Sequence, residues 1–299
     1  MITARRSQPA PNAMTLGWTG IAGRKRAADI AVYLVLIAFG CVFLFPLAYL
    51  IARSLMSQGE TFTQPPRFIP DHWLWSNYRI AWGRAPFPRF LLNTMVIASL
   101  QVIGTTFSAS LCAFGFARLR FPGRNLLFAI VLATLMLPGT VTLIPLYILF
   151  KHLHWLNTML PLTVPSFFGG GAFAIFLFRQ FFNTIPRDLD EAATMDGASS
   201  WQVYREIIMP LSMPVITVVS ILTFLAAWTD LFGPLIYLNT PDKWTLAQGV
   251  YNVFTSFYGP PQVPYVAAIS MLLIVPPLVL YAFAQRYLIE GVVTTGIKG

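Results

Sequence analysis

The sequence predicts an all-α membrane protein with six transmembrane helices and both termini in the cytoplasm. Composition is the first observation behind this: of 299 residues, 56% are hydrophobic and only 10% charged, whereas a soluble domain carries about 25% charged residues. The second is that the apolar residues gather into six runs, at residues 30–52, 90–117, 125–150, 155–178, 207–229 and 264–285. Crossing ~30 Å of hydrocarbon takes about 20 helical residues, and each run is long enough. They are also too long and continuous for barrel strands.

Residues 1–28 read as a flexible cytoplasmic tail, residues 29–289 as the six-helix transmembrane domain and residues 290–299 as a cytoplasmic C-terminal tail. Arg24-Lys25-Arg26 precede the first run and hold the N-terminus inside. That run is longer than a signal-peptide core and lacks a small-residue cleavage site, so it is an uncleaved anchor. Arg118, Arg120 and Arg124 mark the second cytoplasmic turn, Arg179, Arg187 and Arg205 the third, and Arg286 and Lys298 the tail. The external segment 53–89 holds five arginines, and longer external segments follow the charge rule less strictly. The net charge of +9 therefore reflects topology, and no soluble basic face is left for nucleic acid. Pro46, Pro138, Pro145, Pro161, Pro214 and Gly169 to Gly171 lie inside the runs. Neighbouring helices in a packed bundle satisfy the backbone groups they free.

Between the fourth and fifth runs lies a polar insert at about 184–210, where a plain loop would suffice. Pro186, Asp188, Asp190 and Glu191 suit the start of a short helix. Asp196-Gly197 ends it, because glycine takes the left-handed conformation readily. Ser199 then caps a second helix, with Gln202 at the capping-box position. Trp201, Tyr204 and Ile208 fall three and four apart on one face until Pro210. Two helical pieces hinged at a glycine make a plug with an apolar ridge, a shape suited to docking.

Glu191-Ala192-Ala193, Gly197 four places after the second alanine, and Ile207 with Met209-Pro210 resemble the EAA loop of ABC importer permeases, with Met209 at the usual leucine. The rest of the chain follows the carbohydrate-uptake branch in order. Asn77-Tyr78, Asn93-Thr94, Phe114 to Arg118, Phe121 to Arg124, Met136-Leu137-Pro138, Pro145-Leu146-Tyr147 and Phe178 to Phe182 appear in family sequence. Trp228-Thr229-Asp230, with threonine where asparagine is usual, precedes Pro234-Leu235-Ile236. The ending Gln285-Arg286-Tyr287, Gly291 and Gly296 to Gly299 resembles the smaller, maltose-type permease subunit.

The resemblance implies a permease in a bacterial or archaeal inner membrane, supplying half of a pathway for a sugar or related solute. A second homologous permease, two ATP-hydrolysing subunits and an extracytoplasmic solute-binding protein are its implied partners. Glu191, Ala192, Ala193, Asp196, Gly197, Ile207 and Pro210 are the implied ATPase-coupling residues, and Gly291, Gly296 and Lys298 an implied second ATPase contact. A glycerol-phosphate or polyol importer is the alternative within the family.

No cofactor, metal or catalytic site is expected. No Gly-rich phosphate loop is present for ATP, so energy must come from partner subunits and the chain is not an enzyme. Cys41 and Cys112, read as buried apolar thiols, form no disulfide framework. His152 and His154 are two apart and do not share a helix face. An ion-coupled carrier needs ionisable groups within its spans, and these runs are nearly charge-free; a channel needs a pore motif or charged ring. Trp228 and Asp230 are the translocation-path candidates. Trp228 is either a stacking surface for a sugar or an interface anchor, and Asp230 faces either a cavity or the outer boundary.

Overall fold

The computed structural model describes residues 18–254 and 262–296, and among them all regular structure is helical. Helix α1 (Trp18–Ser54) contains the first run, and α2 (Ser76–Gly83) follows a loop closed by a 3-10 turn at Glu60–Phe62. Asn77 on α2 ties down that connection by donating to the carbonyls of Ser54 (2.9 Å) and Met56 (2.8 Å). Helix α3 (Phe87–Arg118) spans 32 residues. It is the spine of the bundle, flanked by α7 and α11.

After α3 the chain forms α4 (Arg124–Ala133), α5 (Gly139–His152), α6 (Leu160–Thr163) and α7 (Ala172–Thr184). Then come α8 (Asp188–Met195), α9 (Ser200–Gln202), a π-helical segment at Val203–Ile208, α10 (Met209–Leu211) and α11 (Met213–Thr229). Last are α12 (Phe232–Tyr237), α13 (Leu246–Phe254) and α14 (Val263–Gly296). Four stretches are long and apolar enough to cross a membrane: Ala28–Ser54, Phe87–Arg118, Leu160–Thr184 and Val263–Phe283. Two bent pairs bring the number to as many as six.

Both bends depart from the continuous spans read in the sequence. Arg124–Met136 meets Gly139–His152 at 98°, because proline lacks an N–H and pushes the residue before it out of helical geometry. Leu137 is accordingly extended (φ −80, ψ 117), as is Pro138 (φ −62, ψ 134). Ser200–Leu211 meets Met213–Thr229 at 78°, where Ser212 leaves helical geometry (φ −97, ψ 12) between Pro210 and Pro214. The fourth span starts later and ends later than residues 155–178, and Gly169, Gly170 and Gly171 break it at φ +91, +62 and +90. Gly170 also brings backbones together: a Cβ there would sit 2.7 Å from the Thr105 carbonyl oxygen. Small residues allow such close approach between helices in lipid.

Two buried clusters flank the length of α3. At its Arg118 end, Ala109, Ala113, Phe114 and Ala117 pack with Phe178, Phe182, Tyr204, Ile208 and Val219. At its Phe87 end, Phe87 and Phe90 pack with Trp228, Leu246, Phe254 and Ile269. By contrast, α1 leaves its apolar side chains outside, with Phe43 77% exposed. Such a surface suits lipid or another membrane helix, where water is absent. Cys41 and Cys112 also lie exposed, contrary to the interior position expected of them, because among the described residues nothing covers those helix faces.

Candidate functional site

The polar insert forms the local structure that its residues dictate. Asp188, Asp190 and Glu191 occupy the first turn of α8, where the helix dipole favours negative charge. At the other end Ala198 N–H reaches the Ala193 carbonyl (2.9 Å) and Gly197 N–H the Thr194 carbonyl (3.0 Å). This pair of bonds is the Schellman stop, and it requires the left-handed Gly197 (φ +86). Ser199 caps the next helix: its Oγ accepts from Gln202 N–H at 3.3 Å, while Gln202 Oε1 accepts from Ser199 N–H at 2.8 Å. The capping box is complete.

Three through-space contacts fix this plug to the bundle. Arg118, at the end of α3, places Nη1 3.2 Å from Asp190 Oδ2. Its Nη2 donates to the carbonyls of Phe182 (2.8 Å) and Ile185 (2.9 Å), joining α3, α7 and α8. Arg187 donates to the Ala117 carbonyl at 3.1 Å. The Tyr204 hydroxyl lies 2.8 Å from Ser110 Oγ in the core, with its ring edge-on to Phe114. The pair of Arg118 and Asp190 is largely buried, with side chains 5% and 19% exposed. Burial pushes the Asp190 carboxyl above the usual carboxylate range, and the neighbouring Arg118 and Arg187 oppose that shift without cancelling it.

Each predicted coupling residue can now be placed. Glu191, Ala192, Asp196, Gly197 and Pro210 are exposed, Ala193 and Ile207 half-buried. The apolar ridge is real for Tyr204 and Ile208, both buried, while Trp201 remains 51% exposed against Tyr204. The free face of α8 carries Glu191, Leu189 (43% exposed) and Met195 (88%). Beside it runs an open groove of about 460 Å³ bordered by Arg120, Arg187, Glu191, Thr194 and Met195. The helix is thus acidic, partly apolar and clamped at one end of the bundle, and among the described residues nothing covers its outer face.

A family model described as "Binding-protein-dependent transport system inner membrane component" matches residues 104–290, which includes this whole plug. This chain belongs to that family. The permease is 31% identical over 275 residues to the sn-glycerol-3-phosphate transport system permease protein UgpE of Yersinia pestis, covering 90% of this chain and 97% of that protein. It is 34% identical over 289 residues to the maltose/maltodextrin transport system permease protein MalG of Salmonella typhimurium, covering 89% and 95%. In fold it resembles a chain of a bacterial ABC transporter involved in the import of the acidic polysaccharide alginate. That likeness has a TM-score of 0.75 at 22% identity, over 88% of this permease and 97% of that chain.

At the far end of α3 the path candidates separate. Trp228 has no exposed surface: its indole N–H donates to the Leu273 carbonyl (2.8 Å) and its ring stacks on Phe224. A ring enclosed on all sides by its own chain has no face left for a solute. Asp230 is half-buried at the end of α11, its Oδ1 accepting from Gly233 N–H at 3.1 Å. Gly291 and Gly296 lie on the last turns of α14, and Lys298 lies outside the described residues. Among the described residues no group of three His, Cys, Asp or Glu side chains could hold a metal.

Sequence reasoning missed the Arg118–Asp190 pair, the Tyr204–Ser110 bond and the π-helical segment. No local spacing signals the two contacts, since their partners lie far apart in the chain. Asn93 was visible only as part of a family pattern. It donates to the Asp242 (3.0 Å) and Trp244 (2.9 Å) carbonyls, and Thr94 Oγ1 accepts from Leu246 N–H (2.8 Å). These are braces that hold α13 against α3.

Proposed function

We propose that this permease forms half of a translocation pathway for a sugar or related solute in the bacterial inner membrane, and that α8 is its coupling helix to a cytoplasmic ATPase. The bare outer face of α8, clamped to α3 by Arg118 and Asp190, carries the reading. A helix so anchored transmits a push to the spine of the bundle, whereas a loosely tethered loop would absorb it. Alternating access then follows as a rigid-body switch. The plug and the arginines of the α3–α4 turn face the cytoplasm in this reading, with both termini on the same side after six crossings. Residues 1–28 and 290–299 are the tails and 29–289 the permease domain.

The assembly comprises a second homologous permease, two ATP-hydrolysing subunits and a solute-binding protein outside. ATP hydrolysis takes place in the partners. Glu191, Ala192, Ala193, Asp196, Gly197, Ile207 and Pro210 form the coupling contact, and Gly291, Gly296 and Lys298 a second one. Asp230, half-buried at the end of α11, is the better path candidate; Trp228 serves as a packing anchor. The relatives are named for maltose or maltodextrin and for sn-glycerol 3-phosphate, so neutral sugars and glycerol phosphates or polyols are the two solute classes to test. Nearly charge-free spans disfavour ion-coupled transport.

The test is reconstitution of this chain with its partner permease and ATPase in proteoliposomes, with the solute-binding protein and either labelled maltodextrin or labelled glycerol 3-phosphate. Uptake that requires ATP and the binding protein supports the proposal. Uptake driven by an ion gradient without ATP would overturn it.

A further inference from the structure

We propose that the cleft at the α3–α4 turn binds the phosphate headgroup of an anionic membrane lipid. The cleft encloses about 540 Å³ between Arg120, Arg124 and Arg187, with Phe121, Asn125 and Leu126 completing its wall. None of these three arginines forms an ion pair among the described residues. Of the α8 carboxylates, Asp190 is held by Arg118 at 3.2 Å, and Glu191 lines the adjoining groove. Three guanidinium groups therefore line a cleft whose wall, among the described residues, holds no carboxylate.

The donors are fixed and largely unspent. Arg124 gives one N–H to the Leu119 carbonyl (3.3 Å) and Arg187 one to the Ala117 carbonyl (3.1 Å), while each guanidinium carries five. These bonds pin the side chains to the turn and leave the remaining N–H groups for a ligand. Gly123 (φ +77) starts the ten-residue α4 at the cleft, whose first N–H groups have no acceptor within the helix. The positive end of the α4 dipole adds to the arginine charge.

The surface next to the cleft distinguishes a lipid from a free anion. Leu126 (68% exposed), Leu127 (48%) and Ile130 (53%) run up α4 from the cleft rim. A headgroup between the arginines would lay its acyl chains along that apolar strip. Inorganic phosphate would use the same donors but leave the strip bare. Basic pockets beside membrane helices attract anionic headgroups in this way. The inference needs the apolar segments to lie in a bilayer, but neither a crossing direction nor ATPase docking by α8.

The test uses the intact complex in detergent, titrated with dioleoyl-phosphatidylglycerol or dioleoyl-phosphatidylcholine and read by native mass spectrometry. Phosphatidylglycerol should bind selectively, and R120Q/R124Q should weaken it about 30-fold while R120K/R124K retains it. Should the double variant fail to fold, Arg120→Gln alone, a side chain with no hydrogen bond or ion pair among the described residues, should weaken binding about fivefold. Equal lipid retention by the glutamine variants would overturn the proposal. So would protection of the complex by inorganic phosphate alone to the same degree as by the lipid, which assigns the cleft to a free anion. Loss of ATPase subunit from R120Q/R124Q with lipid binding unchanged would assign the arginines to the partner protein.

Discussion

Arg118 and Asp190 meet at 3.2 Å where the end of α3 touches the first turn of α8, so a largely buried ion pair clamps that helix to the spine. The two partners are not equivalent. Arg118 also holds the carbonyls of Phe182 and Ile185, whereas Asp190 Oδ1 has no hydrogen-bond partner among the described residues. Arg118→Met therefore strands a buried carboxylate and two carbonyls, at a cost of about 3–5 kcal/mol. Asp190→Asn keeps the shape and removes a charge that burial already disfavours, costing about 1 kcal/mol. ATPase stimulation should fall sharply in Arg118→Met and mildly in Asp190→Asn. Thermal melts of the two purified variants check the order; equal melts would remove Arg118 from the joint.

The raised pKa of Asp190 also has a direction in pH. Its protonated form is favoured in the fold, so its contribution is present below the ordinary carboxylate range and lost as pH rises through the raised value. Asp190→Asn should flatten that part of the stability-versus-pH curve.

Gly197 ends α8 in the left-handed region, and among the described residues no atom lies within 4 Å of where a Cβ would sit. Space is therefore not the constraint at this position; backbone conformation is. Gly197→Val should cost about 1–3 kcal/mol of local strain and loosen the turn between α8 and Ser199. Membrane insertion should stay normal while transport drops. Full transport by the valine variant would show that the hinge tolerates a different stop.

What was legible in the sequence follows from the range of each interaction. The stop at Gly197 and the box of Ser199 and Gln202 are built from neighbours, and their residue types announce them. The bends were not legible to the same degree. Pro46 and Pro145 sit inside continuous helices, while Pro138 breaks its run through 98°. Proline weakens all three sites alike, and packing elsewhere decides which one yields. Trp228 and Arg118 were hidden for another reason. Their partners, Leu273 and Asp190, lie in distant parts of the chain, where spacing carries no signal. Asn77 and Asn93 stood out only by resemblance, and the structure supplies the physical reason: each side-chain amide closes two backbone carbonyls of a distant loop.

Glu191 is exposed on the outer face of α8, where a docked ATPase would meet it. Replacing it by lysine reverses a charge at that surface, and like charges are costly there. Glu191→Lys should abolish solute-stimulated ATP hydrolysis without changing the melt of the isolated permease. A charge reversal in the ATPase groove should restore part of it. Unchanged stimulation in Glu191→Lys would move the contact to another face of α8.

At the opposite end, Glu60 Oε2 accepts from Ser57 N–H at 2.6 Å and Oε1 from Asp71 N–H at 2.8 Å. Hydrogen bonds from Ser57, side chain first and then backbone, hold its carboxyl below the usual carboxylate range. The ionised form is thus favoured in the fold. Its contribution is present above the ordinary carboxylate pKa and lost as pH falls through the depressed one. Amide-exchange protection at Ser57 and Asp71 should disappear on acidification, and Glu60→Gln should lack it at neutral pH. Protection that survives in the glutamine variant would separate the loop from this carboxylate.

Helix α14 runs on to Gly296, past the apolar run that ends at about residue 285. A helix that projects beyond the bilayer either ends in solvent or meets another protein. On composition alone the Gly- and Thr-rich end would tolerate removal, whereas the coupling proposal makes it a second contact with the ATPase pair. Truncation after Ile289 removes Gly291, Gly296 and Lys298 and leaves every apolar segment and α8 intact. The contact reading expects weaker retention of the ATPase on purification, or hydrolysis that no longer depends on solute. The truncated end is one of two contacts in this reading, so the loss should be partial and should grow at low subunit concentration. A truncated chain that assembles and transports at the full rate would leave α8 as the single mechanical link.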